Sequence, residues 1–92
     1  MPVSAEDIQR GVEILRRHGA ARIVLFGSAV ESLETARDVD LAVDGIEGWD
    51  FFRAAAEVEQ ELSVPLDLIP LSPPSRFTRY IERKGKVLYE RR

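Results

Sequence analysis

Apolar residues along the chain fall into two alternating rhythms. Ile8, Val12 and Leu15 recur at spacings of four and three, one stripe of an amphipathic helix. Ser4 precedes the stripe as an N-cap with Asp7 at the third helical position, a variant capping box, and Val3 and Ile8 are placed for a hydrophobic staple. His18-Gly19 ends this helix, with Gly19 suited to the C′ position. Arg22–Phe26 is then a continuous apolar run of the kind found in buried strands. Ala29–Thr35 reads as either a short helix or an ordered loop. Val39–Val43 is a second strand; the Asp44-Gly45 that follows is a turn signal, but no strand-like run comes after it, so no tight hairpin is expected. Asp50 is placed to cap a third helix, in which Phe51, Ala55, Val58 and Leu62 recur at i, i+4, i+7 and i+11. Pro65 leads into a third strand containing Leu66-Asp67-Leu68-Ile69. Ser72-Pro73-Pro74 breaks the chain and opens a fourth helix with Phe77 and Ile81 on its inner face. Gly85 stops that helix, and Val87–Tyr89 adds a short edge strand. The order α-β-α-β-α-β-α-β predicts an α/β (α+β) fold, a small mixed sheet with helices mainly on one face.

Length and composition narrow the function. The 92 residues suit one domain, residues 1–92, with one modest core. Hydrophobic content of 45% and charged content of 32% are those of an ordinary globular protein. The net charge of −3 argues against a general nucleic-acid binder, and no direct nucleic-acid partner is expected. It does not exclude a nucleotide, because a bound metal brings its own positive charge. Cysteine is absent, so there is no disulfide framework. No stretch approaches the roughly 18 apolar residues of a membrane span. The first residues lack the basic and apolar regions of a signal peptide. No membrane partner and a cytoplasmic location are therefore expected, and homo-oligomerisation is left open.

The chemistry concentrates where the first two strands meet polar sequence. Ile23-Val24-Leu25-Phe26 runs into Gly27-Ser28, and the second strand carries Asp38-Val39-Asp40-Leu41-Ala42-Val43. Alternation along a strand puts Asp38, Asp40 and Ala42 on one face, and Val39, Leu41 and Val43 on the other. Two carboxylates projecting the same way suit one or two hard cations, and Mg²⁺ commonly takes one or two carboxylates plus substrate phosphate. Asp67 is the third candidate, the one remaining aspartate inside a strand-like run. Gly27 lets the backbone approach a ligand closely, and Ser28 offers a hydroxyl and an N–H to phosphate. Asp38, Asp40 and Asp67 are thus the candidate metal ligands and catalytic residues, and Gly27 and Ser28 the candidate β/γ-phosphate contacts. The bland alternative for the aspartates is a solvated strand edge. For Gly27-Ser28 it is a plain strand-to-helix turn.

Gly27-Ser28, nine intervening residues and then Asp38-x-Asp40-Leu-x-Val resembles the signature of the polymerase-β-like nucleotidyltransferases. The small size is similar to their minimal nucleotidyltransferase (MNT) branch, and the resemblance extends to the closing segment Ile81–Glu90. It implies two Mg²⁺ ions, ATP as substrate, and Asp67 as the residue that completes the metal site and helps activate the attacking hydroxyl. It also implies transfer of AMP to a hydroxyl of a partner protein. Many members of this branch are antitoxins of HEPN-domain ribonuclease toxins, and some modify a tyrosine of that toxin. One departure is plain. The family commonly has arginine three residues after the serine, and here Glu31 and Ser32 occupy the corresponding positions, while Arg37 stands where a serine is common. That departure favours the alternative of a weak or inactive homologue that neutralises its partner by binding alone.

Three other features have a structural reading first. His18, the sole histidine, sits at a helix end where an imidazolium suits the dipole. Trp49, Phe51 and Phe52 suit the core or helix packing, although exposure of Trp49 would mark a partner surface. Arg79, Arg83, Lys84 and Lys86 form a solvated helix face, or a surface for phosphates or a partner.

Overall fold

The structure, a computed structural model, describes residues 3–91; residues 1, 2 and 92, the ends of the expected 1–92 domain, lie outside it. Its elements are α1 (Ala5–Arg17), β1 (Arg22–Phe26), α2 (Ser28–Glu31), β2 (Val39–Asp44), α3 (Trp49–Glu61), β3 (Leu66–Pro70), α4 (Arg76–Lys84) and β4 (Lys86–Glu90). Helices and strands alternate as the sequence predicts.

Helix α1 begins and ends as its caps dictate. Ser4 Oγ accepts from the Asp7 N–H, while Asp7 accepts from the Ser4 N–H at 3.2 Å. Burial pushes the Asp7 carboxyl up, but hydrogen bonds from Ser4 and Ser63 outweigh it and hold the group below its ordinary value. At the far end Gly19 takes φ +99°, its N–H donates to Arg16 and that of Ala20 to Leu15, which is a Schellman closure.

The four strands lie in the order β3-β2-β1-β4. β1 pairs antiparallel with both β2 and β4, and β2 pairs parallel with β3 through the α3 crossover. The sheet has two covered faces. Ile23, Leu25, Val39, Leu41 and Val43 join Ile14, Leu15, Ala54 and Val58 in the main core, under α1 and α3. Val24 and Ala42 face the other way and form a smaller cluster with Leu71 and Ile81, under α4. Covering on both sides explains the unbroken apolar run of β1. His18 Nε2 and Arg17 both reach Glu57, joining α1 to α3. Arg22 joins β1 to α4 through Glu82 at 2.7 Å and to β4 through Glu90.

Some expectations change. Helix α3 begins one residue before Asp50, with Gly48 as its N-cap at φ +62° and no side-chain cap; Asp50 instead lies in the first turn, where a carboxylate suits the dipole. Helix α4 opens at Ser75, in a capping box with Thr78, rather than at the prolines. Its inner face is Thr78 and Ile81, whereas Phe77 is 54% exposed. Trp49 and Phe52 are exposed rather than in the core, and Phe51 alone of the three packs against it. Among the described residues no helix is long and apolar enough to cross a membrane.

Candidate functional site

β1 delivers the chain to Gly27, whose φ of +77° and ψ of −158° lie in a region essentially reserved for glycine. A Cβ at this position would overlap Asp40 Oδ2. Backbone conformation and side-chain contact therefore demand the same residue: glycine is what lets the aspartate carboxylate lie against the turn. Ser28 then opens α2, a single turn closed by Ser32 N–H donating to Ser28 at 3.1 Å.

Asp40 sits in the second ladder position of β2. Phe26 stands opposite it on β1, and Asp67 stands opposite it on β3. One cross-sheet row thus reads Asp67, Asp40, Phe26, and the next reads Ile69, Ala42, Val24. Adjacent strands are about 4.8 Å apart, so the two carboxylates are neighbours on one face. That face is the α4 side, because Ala42 and Val24 belong to the α4 cluster and side chains two residues apart share a face. Asp38 lies in the bend just ahead of β2, exposed to solvent.

The electrostatics record this convergence. Asp40 is half-buried, and its pKa is raised, first by burial, then by the charge of Asp67, then by that of Asp38. Asp40 is the centre, with one acidic neighbour in the ladder and another in the bend. Two like charges beside the half-buried Asp40 carboxylate leave a repulsion that a hard divalent cation, which takes oxygen ligands, would relieve. Among the described residues, however, no three acidic or histidine side chains are gathered closely enough to hold one ion together. The chemistry of the donor set fits Mg²⁺, with Asp40 as the member common to either pair.

The other singled-out residues fall elsewhere. His18 pairs with Glu57 at 2.9 Å, and this pair belongs to the α1–α3 layer across the sheet. Glu31 borders a cavity of about 330 Å³ with Ala5, Ile8, Leu25 and Lys86, on the α1 side. It is not among the charges that raise the Asp40 pKa, so the missing arginine is not replaced by a repulsive charge beside the aspartates. Arg37 borders a cleft of about 810 Å³ with Ser63 and Pro65, alongside the start of β2 and β3. Phe77, expected on the inner face of α4, instead stands half-exposed at its flank, where its ring meets Phe26 edge-to-face with centroids 6.0 Å apart, at the end of the aspartate row. The signal available was an apolar residue among Arg76, Arg79 and Arg83.

Comparison with known proteins gives a family and a fold. The polymerase beta, nucleotidyltransferase family matches residues 9–92. Among solved structures, a chain of the MntA–HepT toxin–antitoxin complex overlays with a TM-score of 0.71 at 20% identity, covering 95% of this chain and 73% of that one. A tri-AMPylated Shewanella oneidensis HEPN toxin in complex with MNT antitoxin gives 0.71 at 22% identity, covering 92% and 71%. A toxin–antitoxin structure with AMP-PNP gives 0.72 at 23%, covering 92% and 72%. At these identities the likeness is one of fold. No curated protein matches.

Proposed function

The chain belongs to the polymerase-β nucleotidyltransferase family, and from that premise we propose that it moves AMP from ATP onto a hydroxyl of a partner protein, a HEPN-domain toxin to which it is the antitoxin. The observation that carries this reading is that Asp40 stands beside Asp67 in the ladder, lies against the Gly27 turn and feels the charge of Asp38. The choice of partner is supported by the similar structures, which are complexes of toxin and antitoxin. The reading treats residues 1–92 as one catalytic domain working in the cytoplasm, where ATP is plentiful.

Gly27 and Ser28 would hold the β- and γ-phosphates through close backbone approach and the Ser28 hydroxyl. Asp38, Asp40 and Asp67 would hold two Mg²⁺, which when bound supply charge neutralisation and orient the phosphate oxygens. The acceptor oxygen forms a bond to the α-phosphorus, the bond from that phosphorus to the bridging oxygen breaks, and pyrophosphate leaves. Asp67, the most exposed member of the row, takes the hydroxyl proton. Most of the catalysis is positioning and electrostatics, which a small site can provide.

A second reading rests on Glu31, which leaves the phosphate turn without its usual cation. In it the chain neutralises its partner by binding alone. Incubation with ATP labelled at the α-phosphate, Mg²⁺ and the partner distinguishes the two. Label on the partner, lost in Asp40→Asn, supports the transferase. A tight complex without label, unchanged by Asp40→Asn, supports the binder.

A further inference from the structure

Two contacts fix how α4 lies over the aspartate-bearing face. Near its start, Phe77 meets Phe26, the β1 residue opposite Asp40. Near its end, Glu82 takes Arg22, at the other end of β1. Helix α4 therefore runs antiparallel to β1, and its first turn lies at the end of the sheet that carries Gly27, Asp40 and Asp67. Capping by Ser75 and burial of Thr78 and Ile81 leave the opposite side of the helix unpartnered. Phe77 lies on the flank beside Ile81, where its ring meets Phe26, and is 54% exposed; Tyr80 next to it is 52% exposed. Among the described residues, Arg76, Arg79 and Arg83 make no ion pair.

Nothing in the core requires an aromatic ring at position 77. Thr78 and Ile81 already seat the helix, and the edge-to-face contact with Phe26 holds the Phe77 ring in place without covering it. In a perpendicular pair at least one face of each ring is not used by the other. The result is a half-exposed aromatic ring near the aspartate end of β1, on a helix that also carries Arg76, Arg79 and Arg83. An exposed π face accepts any base, because every base has one of its own.

We propose that Phe77 is the platform on which the nucleobase of the nucleoside triphosphate stacks, with α4 forming the wall of the site opposite Gly27-Ser28. This rests on the nucleotide-transfer reading above and adds the base subsite to it. Phe77 is a positioning residue: it holds the nucleoside so that the α-phosphate lies over the aspartates, and takes no part in bond making. Tyr80, one turn on, extends the same side of the helix.

The test measures binding of AMP-PNP and of inorganic tripolyphosphate, each with Mg²⁺, to the full chain and to Phe77→Leu and Phe77→Trp. Leucine keeps the apolar bulk but has no π face; tryptophan keeps the face. The expected result is AMP-PNP binding weakened by about tenfold or more in Phe77→Leu, retained in Phe77→Trp, and tripolyphosphate binding unchanged in both. Near-ultraviolet circular dichroism checks that each variant is folded. Equal AMP-PNP affinity in folded Phe77→Leu and wild type overturns the platform while leaving the phosphate and metal site standing, as does equal weakening of both ligands. Failure of the wild-type chain to bind either ligand overturns the nucleotide site and the platform with it.

Discussion

At the scale of single residues, two positions have consequences that can be measured. Gly27 holds a backbone conformation essentially closed to other residues and leaves no room for a Cβ beside Asp40. Gly27→Ala should lower stability by about 1–3 kcal/mol, the strain of an unfavourable backbone region, in urea unfolding. It should also displace the Asp40 carboxylate. Asp7 makes the second case. Its pKa is held below the ordinary value because hydrogen bonds from Ser4 and Ser63 outweigh burial, so it favours the folded state above the unfolded carboxylate pKa and loses that contribution as pH falls through the folded one. Asp7→Ala should therefore cost about 1 kcal/mol at pH 7. The gap to wild type should narrow as pH falls below about 4, as followed by thermal melts across pH.

At the scale of elements, α1 and the two-sided sheet set the stability. Gly11 lies inside α1 without a positive φ, and a Cβ there would meet Leu41 Cδ1 at 3.4 Å and Val58 Cγ1 at 3.6 Å, ordinary contacts. Gly11→Ala should stabilise by about 0.5–1 kcal/mol through helix propensity, raising the urea midpoint. Arg22 is the tie between β1, α4 and β4. Its partners are partly exposed, so Arg22→Ala should cost only about 1–2 kcal/mol; hydrogen exchange should show the loss first in α4 and β4. Most of the architecture was legible because local signals and tertiary packing agree. Ser4 and Asp7 announce α1, the run Arg22–Phe26 announces a strand covered on both sides, and Gly85 stops α4. The start of α3 was not legible, because Gly48 sets it by backbone conformation and no side chain caps it. Phe77 was misplaced because its i, i+4 relation to Ile81 imitates one stripe, while the buried pair is Thr78 and Ile81. The candidate site was legible in its residue types. The row that sets Asp67 beside Asp40 was not, because that register depends on how the α3 crossover returns the chain.

At the scale of the whole molecule, the sheet gathers a turn and three acids at one end of one face, and α4 and its aromatic ring border them. The fold accepts an electrostatic penalty there. Burial and the charges of Asp67 and Asp38 raise the Asp40 pKa, so the folded state binds that proton more tightly than the unfolded chain does. Without a cation, stability then falls as pH rises from the ordinary carboxylate value through the raised one, and ionised Asp40 is a net cost at pH 7. Removing the charge should relieve that cost, and adding a divalent ion should relieve it only where the charge remains.

The most direct test is the melting temperature of wild type and Asp40→Asn at pH 7 as Mg²⁺ is added. Without the ion, Asp40→Asn should melt higher, by about 2–4 °C for a solvent-screened gain near 0.5 kcal/mol. As Mg²⁺ rises, wild type should climb and Asp40→Asn should stay nearly flat. Parallel responses of the two proteins to Mg²⁺, or a wild type indifferent to it, would contradict a cation site centred on Asp40.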